Sequence, residues 1–145
     1  PRAQEYFWLS HDGLGDRHSF MLQPYLESVE TQGEYSLLYI DGVFTHAVRK
    51  VPVSGDYRVQ DDFGASDMAI EPDQRLRAVG SEVLAACHRA TQVETPLLYA
   101  RLDFLQDATG AWLLNEAELI EPSLFLRHGP QVPTILADAL LRRLD

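Results

Sequence analysis

Two strand-like stretches joined by a short turn decide the fold: LLYARLDFL at residues 97–105 and WLLNEAELI at residues 112–120, with DATG at 107–110 between them. A turn this short predicts antiparallel neighbours in one sheet. Because strand side chains alternate between faces, each stretch divides into two sets. The apolar sets contain Leu98, Ala100, Leu102 and Phe104 on the first strand, and Leu113, Asn115, Ala117 and Leu119 on the second.

The remaining sets bring three carboxylates, Asp103, Glu116 and Glu118, to one face with Arg101 beside them. We call Asp103, Glu116 and Glu118 the carboxylate triad. Carboxylates this close raise one another's pKa unless a cation compensates them, and Arg101 is expected to compensate one. Oxygen ligands without His or Cys favour Mg²⁺ or Mn²⁺ over Zn²⁺. On the pattern alone, a solvated polar face, which is common on antiparallel sheets, fits somewhat better than a metal site.

The rest of the chain supplies further strands and two helices. Strands are predicted at residues 19–26, 35–40 and 43–51, the last two joined by Asp41-Gly42, a strong hairpin signal. A polar loop is expected at residues 57–67, and helices at residues 72–91 and from about 133 to 144. The order β-β-β-α-β-β-α predicts an α+β fold with a largely antiparallel sheet and helices packed on it.

Composition excludes several classes of protein. The 145 residues suit one domain or a substantial piece of one, and 12 basic against 22 acidic residues give a net charge of −10. Such a charge argues against nucleic acid and against an anionic membrane surface as partners. No apolar run approaches the roughly 20 residues that span a bilayer. A single cysteine, Cys87, indicates a reducing compartment, so we expect a cytoplasmic protein.

A small basic group, Arg49, Lys50 and Arg58, stands out in this acidic chain. Arg49 and Lys50 are adjacent on a predicted strand, so their side chains point to opposite faces and only one can serve a given site. The group suits phosphate binding, but taken alone it fits better as surface charges that pair with the surplus acids. The five histidines lack zinc-ligand spacing, and Cys87 lies on the apolar face of a helix.

Several short motifs together resemble the ATP-grasp superfamily. EAELIEP at residues 116–122 resembles the E-x-N-x-x-x-P that closes the fold, with Glu118 in the Asn place, and RLD at residues 101–103 resembles the R-x-D of D-alanine–D-alanine ligases. GEYS at residues 33–36 resembles the G-D-x-R of glutathione synthetases. The motifs run in order from about residue 22 to residue 122, and the likeness is greatest to glutathione-synthetase-like proteins, including the type that closes the cycloserine ring.

Two more stretches belong to the same resemblance. KVP at residues 50–52 and GDYRVQ at residues 55–60, followed by Gly64, resemble the family's R-x-P and the R-x-N before a glycine-rich loop. QPYL at residues 23–26 resembles the hinge that meets adenine. The resemblance implies that the chain, residues 1–145, is the C-terminal part of an ATP-grasp domain. The family's N-terminal domain and first ATP-binding subdomain would then precede Pro1, and we expect the chain to be inactive alone.

The resemblance also implies roles for individual residues. Asp103, Glu116 and Glu118 would hold two Mg²⁺ ions between the ATP phosphates, with Mn²⁺ as an alternative metal. The implied catalytic residues are Arg101, near an acyl phosphate, and Lys50 and Arg58, which would contact the γ-phosphate or substrate. The implied nucleotide-binding residues are Gln23, Tyr25 and Leu26 for adenine, through their backbone, and Glu27 or Glu34 for ribose.

The implied activity is that of an ATP-dependent carboxylate–amine ligase, which forms an amide through an acyl phosphate and releases ADP and phosphate. Its partners would be a small-molecule carboxylate, an amine and, in a homo-oligomer, a second copy of the chain. Two departures matter: Glu118 replaces the family's Asn and Ser36 replaces its Arg. They favour the alternative of a non-catalytic nucleotide-binding or regulatory module on a degenerate ATP-grasp fold. A third alternative is an acidic α+β interaction domain.

Overall fold

A computed structural model describes residues 23–52 and 66–144, which form one five-stranded antiparallel sheet with helices against both faces. The strand order is β3-β2-β1-β4-β5. The elements, in chain order, are α1 Ser28–Gln32, β1 Glu34–Ile40, β2 Val43–Val51, β3 Ser66–Ile70, α2 Gln74–Thr91, β4 Tyr99–Gln106, β5 Trp112–Glu118, a 3₁₀ turn Leu126–His128 and α3 Val132–Leu141. The predicted α+β class is confirmed. Among the described residues, no helix has both the length and the apolarity to cross a bilayer.

The β1–β2 hairpin turns at Asp41 and Gly42, as the sequence predicted. Their φ angles are 52° and 76°, so both occupy the left-handed region that a tight hairpin turn requires. Asp41 also accepts hydrogen bonds from Arg142 Nη2 at 2.8 Å and from Arg143 Nη2 at 2.6 Å. These contacts tie the turn to the end of α3.

One sheet face packs against α2 and forms the main apolar core, which includes Leu37, Tyr39, Ala47, Leu76, Ala100, Leu102 and Phe104. Asp73 starts α2 by accepting a hydrogen bond from the Leu76 amide at 2.7 Å. Gly80 lies where α2 approaches the sheet most closely. A Cβ there would stand 2.4 Å from Tyr39 Oη and 2.7 Å from Leu37 Cδ2, so the packing requires glycine.

The opposite face, which we call the site face, is covered only in part. Val132 and Ala139 of α3 pack on Ile40 at one end, and Phe125 packs on Leu38 and Val48. The polar residues of β1, β2, β4 and β5 occupy the rest of this face. The fold therefore places the carboxylate triad on the side of the sheet away from α2.

The structure corrects two of the predicted elements. Residues 23–26 are not a strand and lead into the unpredicted helix α1, while residues 19–22 lie outside the described residues. The loop predicted up to Asp67 is overlapped by the edge strand β3, which begins at Ser66. This strand is short and mostly exposed, so its sequence lacks the alternation of a half-buried strand. The other elements agree to within two or three residues at each end.

Candidate functional site

The carboxylate triad lies on one face, as the alternation of β4 and β5 predicted. Asp103 pairs with Glu116 and Arg101 pairs with Glu118 in the register of the two strands. One carboxylate oxygen from each triad member lies within 4.8 Å of the others. Asp103 is fully buried, whereas the side chains of Glu116 and Glu118 are 53% and 29% exposed. Asp103 thus forms the buried base of the site, and solvent can reach Glu116 and Glu118.

Arg101 contacts all three members of the triad, whereas the sequence analysis expected it to compensate only one of them. Its Nε donates to both oxygens of Asp103 at 3.1 Å, and its Nη2 lies 3.0 Å from Asp103 Oδ2. Nη2 also bonds Glu118 Oε1 and lies 3.6 Å from Glu116 Oε2. Burial alone would lower the pKa of Arg101, but the three carboxylates raise it above its usual value. The guanidinium therefore stays charged at the centre of the triad.

A second buried cation, Lys50, approaches Asp103 from β2. Its Nζ lies 2.9 Å from Asp103 Oδ2 and also forms an ion pair with Glu34, its cross-strand partner on β1. Lys50 and Glu34 are only 6% and 2% exposed. Burial raises the pKa of Glu34 and Asp103 raises it further, while Lys50 lowers it. Arg49 contacts the carbonyl of Gln32, consistent with the prediction that it and Lys50 face opposite ways.

Asn115 also joins this group, which the simple alternation of β5 does not predict. The β4–β5 register shifts between Asp103 and Phe104, so that Asp103 pairs with Glu116 but Phe104 pairs with Leu114. The shift is a β-bulge that leaves Asn115 as the extra residue. Its Nδ2 donates to Glu34 Oε1 at 2.5 Å. The expectation that Asn115 shares the apolar face is therefore wrong.

Ser36 lies on β1 directly opposite Asp103 on β4 and Val48 on β2. It is fully buried, and its Oγ has no hydrogen-bond partner among residues 23–52 and 66–144. The Lys50–Asp103 contact reaches from β2 to β4 across β1, next to this small side chain. A buried hydroxyl without a partner is costly, so Ser36 leaves unused hydrogen-bonding capacity beside the triad.

Among residues 23–52 and 66–144, the charges of the cluster around Asp103 do not balance. Glu34 and the triad supply four carboxylates to it, whereas Lys50 and Arg101 supply two cations. Burial raises the pKa of Glu116, and the neighbouring Glu118 and Asp103 raise it further. Two uncompensated negative charges and oxygen donors alone fit a hard divalent cation such as Mg²⁺ or Mn²⁺. The ion pairs of Asp103, Lys50 and Glu34 are buried, so this part of the face is not solvated.

The residues expected to meet adenine and ribose occupy different environments. Gln23 Nε2 donates to Asn115 Oδ1 at 3.1 Å, which links the residue 23–26 segment to the site. Tyr25 is exposed and bonds Glu30, Leu26 packs near Val29 and Leu105, and Glu27 is exposed. Glu34 belongs to the buried ion-pair cluster. Arg58 lies outside the described residues, and none of these nucleotide roles is tested by the contacts.

A further polar group on the site face escaped the sequence analysis. Asp67 on β3 accepts from Arg127 Nε at 3.1 Å and lies 2.6 Å from His128 Nε2. The Phe125 ring faces the guanidiniums of both Arg101 and Arg127, at 5.9 and 5.4 Å. Residues 125–128 therefore cross the site face from the triad towards β3. Because Asp67 and its partners are about 60 residues apart in sequence, no local pattern indicates this contact.

Comparison with known proteins gives one sequence relative and several structural neighbours. No family model matches the chain. It is 36% identical over 132 residues to the cycloserine biosynthesis protein DcsG of Streptomyces lavendulae, covering 90% of this chain and 44% of DcsG. The crystal structure of D-cycloserine synthetase DcsG superposes with a TM-score of 0.74 at 35% identity, over 85% of this chain and 42% of that one.

A more distant neighbour shares the fold alone. D-alanine–D-alanine ligase from Bacillus anthracis, complexed with ATP, gives a TM-score of 0.50 at 16% identity, over 75% of this chain and 36% of that one. The chain thus spans less than half the length of each of these proteins. The order of the motifs, the antiparallel sheet and the homology to DcsG all point to the same fold. The chain is therefore a homologue of DcsG over part of that protein's length, and it has an ATP-grasp fold.

Proposed function

We propose that the chain is part of an ATP-dependent carboxylate–amine ligase. ATP phosphorylates a carboxylate, an amine attacks the resulting acyl phosphate, and the products are an amide, ADP and phosphate. The observation that carries this proposal is the buried Arg101–Asp103 pair in register with Glu116 and Glu118. The homologue named D-cycloserine synthetase supports the same class of activity.

The carboxylate triad would hold the Mg²⁺ ions that such a ligase uses, with Mn²⁺ as an alternative. Three convergent carboxylate oxygens and an excess of two negative charges favour a hard divalent cation there. When bound, the metal supplies positive charge against the phosphate oxygens of ATP. Asp103 is held in place by Lys50 and Arg101, so the chain pre-orients one ligand before any ion arrives.

The cations of the site face would stabilise the charge of the transferring phosphoryl group. Arg101 lies among the triad carboxylates and would contact the acyl phosphate and the tetrahedral intermediate. Lys50 lies beside Asp103 and would contact the γ-phosphate or the carboxylate substrate, for which it must loosen its pair with Glu34. Arg58 is proposed for the same task.

The nucleotide would lie along the segment that precedes α1. We propose that the backbone of Gln23, Tyr25 and Leu26 meets adenine, with Glu27 near the ribose. Glu34 serves the ribose less well, because Lys50 and Asn115 occupy its carboxylate. Since Gln23 bonds Asn115, a base bound at this segment would be coupled to the triad strand β5.

The activity belongs to the whole protein that carries this chain, because the chain spans less than half of DcsG. We propose that it forms the C-terminal part of the ATP-grasp domain and is inactive alone. The partners are a small-molecule carboxylate and an amine, and neither nucleic acid nor a membrane. A cytoplasmic location and a homo-oligomer remain predictions from the sequence.

A trapping assay tests the proposal. The intact protein that carries this chain is incubated with Mg²⁺, ATP, a panel of amino and hydroxy acids, and hydroxylamine. The proposal predicts ADP together with a hydroxamate of one acid, because hydroxylamine intercepts an acyl phosphate. AMP in place of ADP would show adenylation and contradict the mechanism.

A second candidate function is a non-catalytic nucleotide-binding module. It is favoured by Ser36 in place of the family's Arg and by Arg101, which already contacts all three triad carboxylates. Calorimetry on the intact protein separates the two functions. Tight ATP binding that does not depend on Mg²⁺, with no ADP from the acid panel, would favour this second function.

A further inference from the structure

We propose that Phe125 is a positioning residue for Arg101, and that its ring holds the plane of the guanidinium through a cation–π contact. The inference rests on the proposed function, in which Arg101 lies near the acyl phosphate. It adds the group that sets the orientation of this cation. Phe125 acts only through Arg101 and is assigned no contact with substrate or metal.

The Phe125 ring and the Arg101 guanidinium meet where both residues are buried. Arg101 Cζ lies over the ring, 5.9 Å from its centroid, and the two residues are 7% and 6% exposed. A cation within about 6 Å of an aromatic face is attracted to it, more strongly when both are shielded from water. The N–H groups at the edge of the guanidinium bond Asp103 and Glu118. A contact with the flat face does not compete for that edge, which remains the part that binds carboxylate or phosphate oxygens.

Arg101 needs a contact that does not depend on the triad. Its Nη2 is shared among Asp103, Glu116 and Glu118. An ion bound by these carboxylates would weaken their bonds to Arg101, because the same oxygens would then face the ion. The attraction of the Phe125 ring involves none of these oxygens. It would therefore keep the guanidinium oriented when the triad holds a metal.

The backbone of Phe125 is a second and independent observation. Its φ and ψ are both 45°, in the left-handed region that is uncommon for a bulky residue. Such strain persists only where surrounding contacts enforce it, and it is concentrated at functional sites. In this conformation the ring packs on Leu38 and Val48. Leu38 is the cross-strand partner of Arg101, so the strained backbone brings the ring to the strand position beside that residue.

Contacts on both sides of Phe125 hold it in place. His46 Nε2 donates to the carbonyl of Leu124 at 3.0 Å, and Arg127 Nε donates to Asp67 at 3.1 Å. His46 belongs to β2 and Asp67 to β3. The sheet therefore fixes the position of the ring, independently of the carboxylates that Arg101 contacts.

Nuclear magnetic resonance on the intact protein that carries this chain tests the contact without any need for activity. The Nε–H signal of Arg101 is assigned by its loss in R101K, and a nearby aromatic ring shifts such a signal through its ring current. F125L keeps an apolar side chain but removes the ring, so it should move the Arg101 signal. F44L is the matched control, since Phe44 carries Arg77 over its ring at 4.4 Å on the opposite sheet face and should leave that signal in place. An Arg101 signal that F125L does not move would overturn the inference, whether or not the protein is an active ligase.

The rate of ADP release tests the role of this contact in the reaction. The intact protein is given Mg²⁺, ATP and the acid identified by hydroxylamine trapping. F125L should lower kcat about three- to tenfold and leave the KM for ATP unchanged, because the ring orients a cation that acts in the transition state. Fluorinated phenylalanine at position 125 keeps the shape of the ring but weakens its negative face, so kcat should fall with each added fluorine. F44L should keep the wild-type kcat.

Circular dichroism and urea titration establish that each variant folds. A folded F125L with the wild-type kcat, or a kcat that does not respond to fluorination, would overturn the inference and leave the proposed function standing. Wild-type protein that releases no ADP would contradict the proposed function, and the Arg101 signal would then decide alone whether Phe125 holds the guanidinium.

Discussion

Replacing Asp103 by Asn should destabilise the fold more than any exposed ion pair does. Asp103 is fully buried and receives Lys50 Nζ at 2.9 Å, Arg101 Nη2 at 3.0 Å and Arg101 Nε at 3.1 Å. Removing one partner of a buried ion pair typically costs about 3–5 kcal/mol of the free energy of unfolding, because the other charge loses its compensation. D103N keeps the shape of the side chain, removes its charge and replaces one acceptor oxygen by an amide NH₂ donor.

The cost is expected near the lower end of that range, about 3 kcal/mol. Lys50 retains its ion pair with Glu34, and Arg101 retains its contacts with Glu116 and Glu118. Both cations therefore stay partly compensated. A domain of this size has a total stability of about 5–15 kcal/mol, so the variant should still fold.

Urea denaturation of wild type and variants measures this difference. D41N is the matched control, since Asp41 also accepts from two arginines, but at the surface. Its loss should be at most about 1 kcal/mol, as for other exposed ion pairs. If D103N lost no more stability than D41N, the buried network would not stabilise the fold and the reasoning from burial would be refuted.

Three other predictions follow from the core and the site. G80A should lower the free energy of unfolding by about 1–3 kcal/mol, because the added Cβ would collide with Tyr39 Oη. This cost should exceed the gain from the better helix propensity of Ala. An increase in the urea midpoint would contradict the close packing at this position. Burial raises the pKa of Tyr39 to about 12, so its absorbance near 295 nm should change only in that range, and titration near pH 10 would contradict it. Burial, Glu118 and Asp103 raise the pKa of Glu116 in the folded state. Glu116 therefore contributes to folding stability while it is protonated, below pH 4.5, and this contribution is lost as the pH rises through the raised pKa. Urea midpoints should therefore favour E116Q over wild type increasingly with pH, and a constant difference would count against the clustered carboxylates.

The sequence was sufficient to predict the part of the site that depends on strand alternation. Arg101 and Asp103 are two residues apart, as are Glu116 and Glu118, so a period of two places each pair on one face. The short turn then fixes which strands meet. The hairpin at Asp41-Gly42 was predictable for a similar local reason, because both positions need a positive φ.

What the sequence did not reveal depends on tertiary contacts. The bulge that brings Asn115 to Glu34 interrupts the alternation of β5, and no residue type in β5 predicts the bulge. The burial of Lys50 follows from strands that lie on both sides of it in space. Helix α1 has five residues, too few to show a helical period. The bulge and the burial of Lys50 therefore depend on non-local contacts, whereas α1 is too short to produce a local pattern.

The release of ADP by triad variants tests the central claim most directly. The intact protein that carries this chain is given Mg²⁺, ATP and the acid identified by hydroxylamine trapping, with E116Q and E82Q side by side. The account predicts that E116Q loses ADP formation by about 100-fold or more while remaining folded, because charge stabilisation at the metal is worth several kcal/mol. E82Q changes an exposed carboxylate on α2, which packs against the opposite sheet face, and should release ADP at the wild-type rate. A folded E116Q that turned over as fast as E82Q would contradict the assignment of the carboxylate triad as the metal-dependent site.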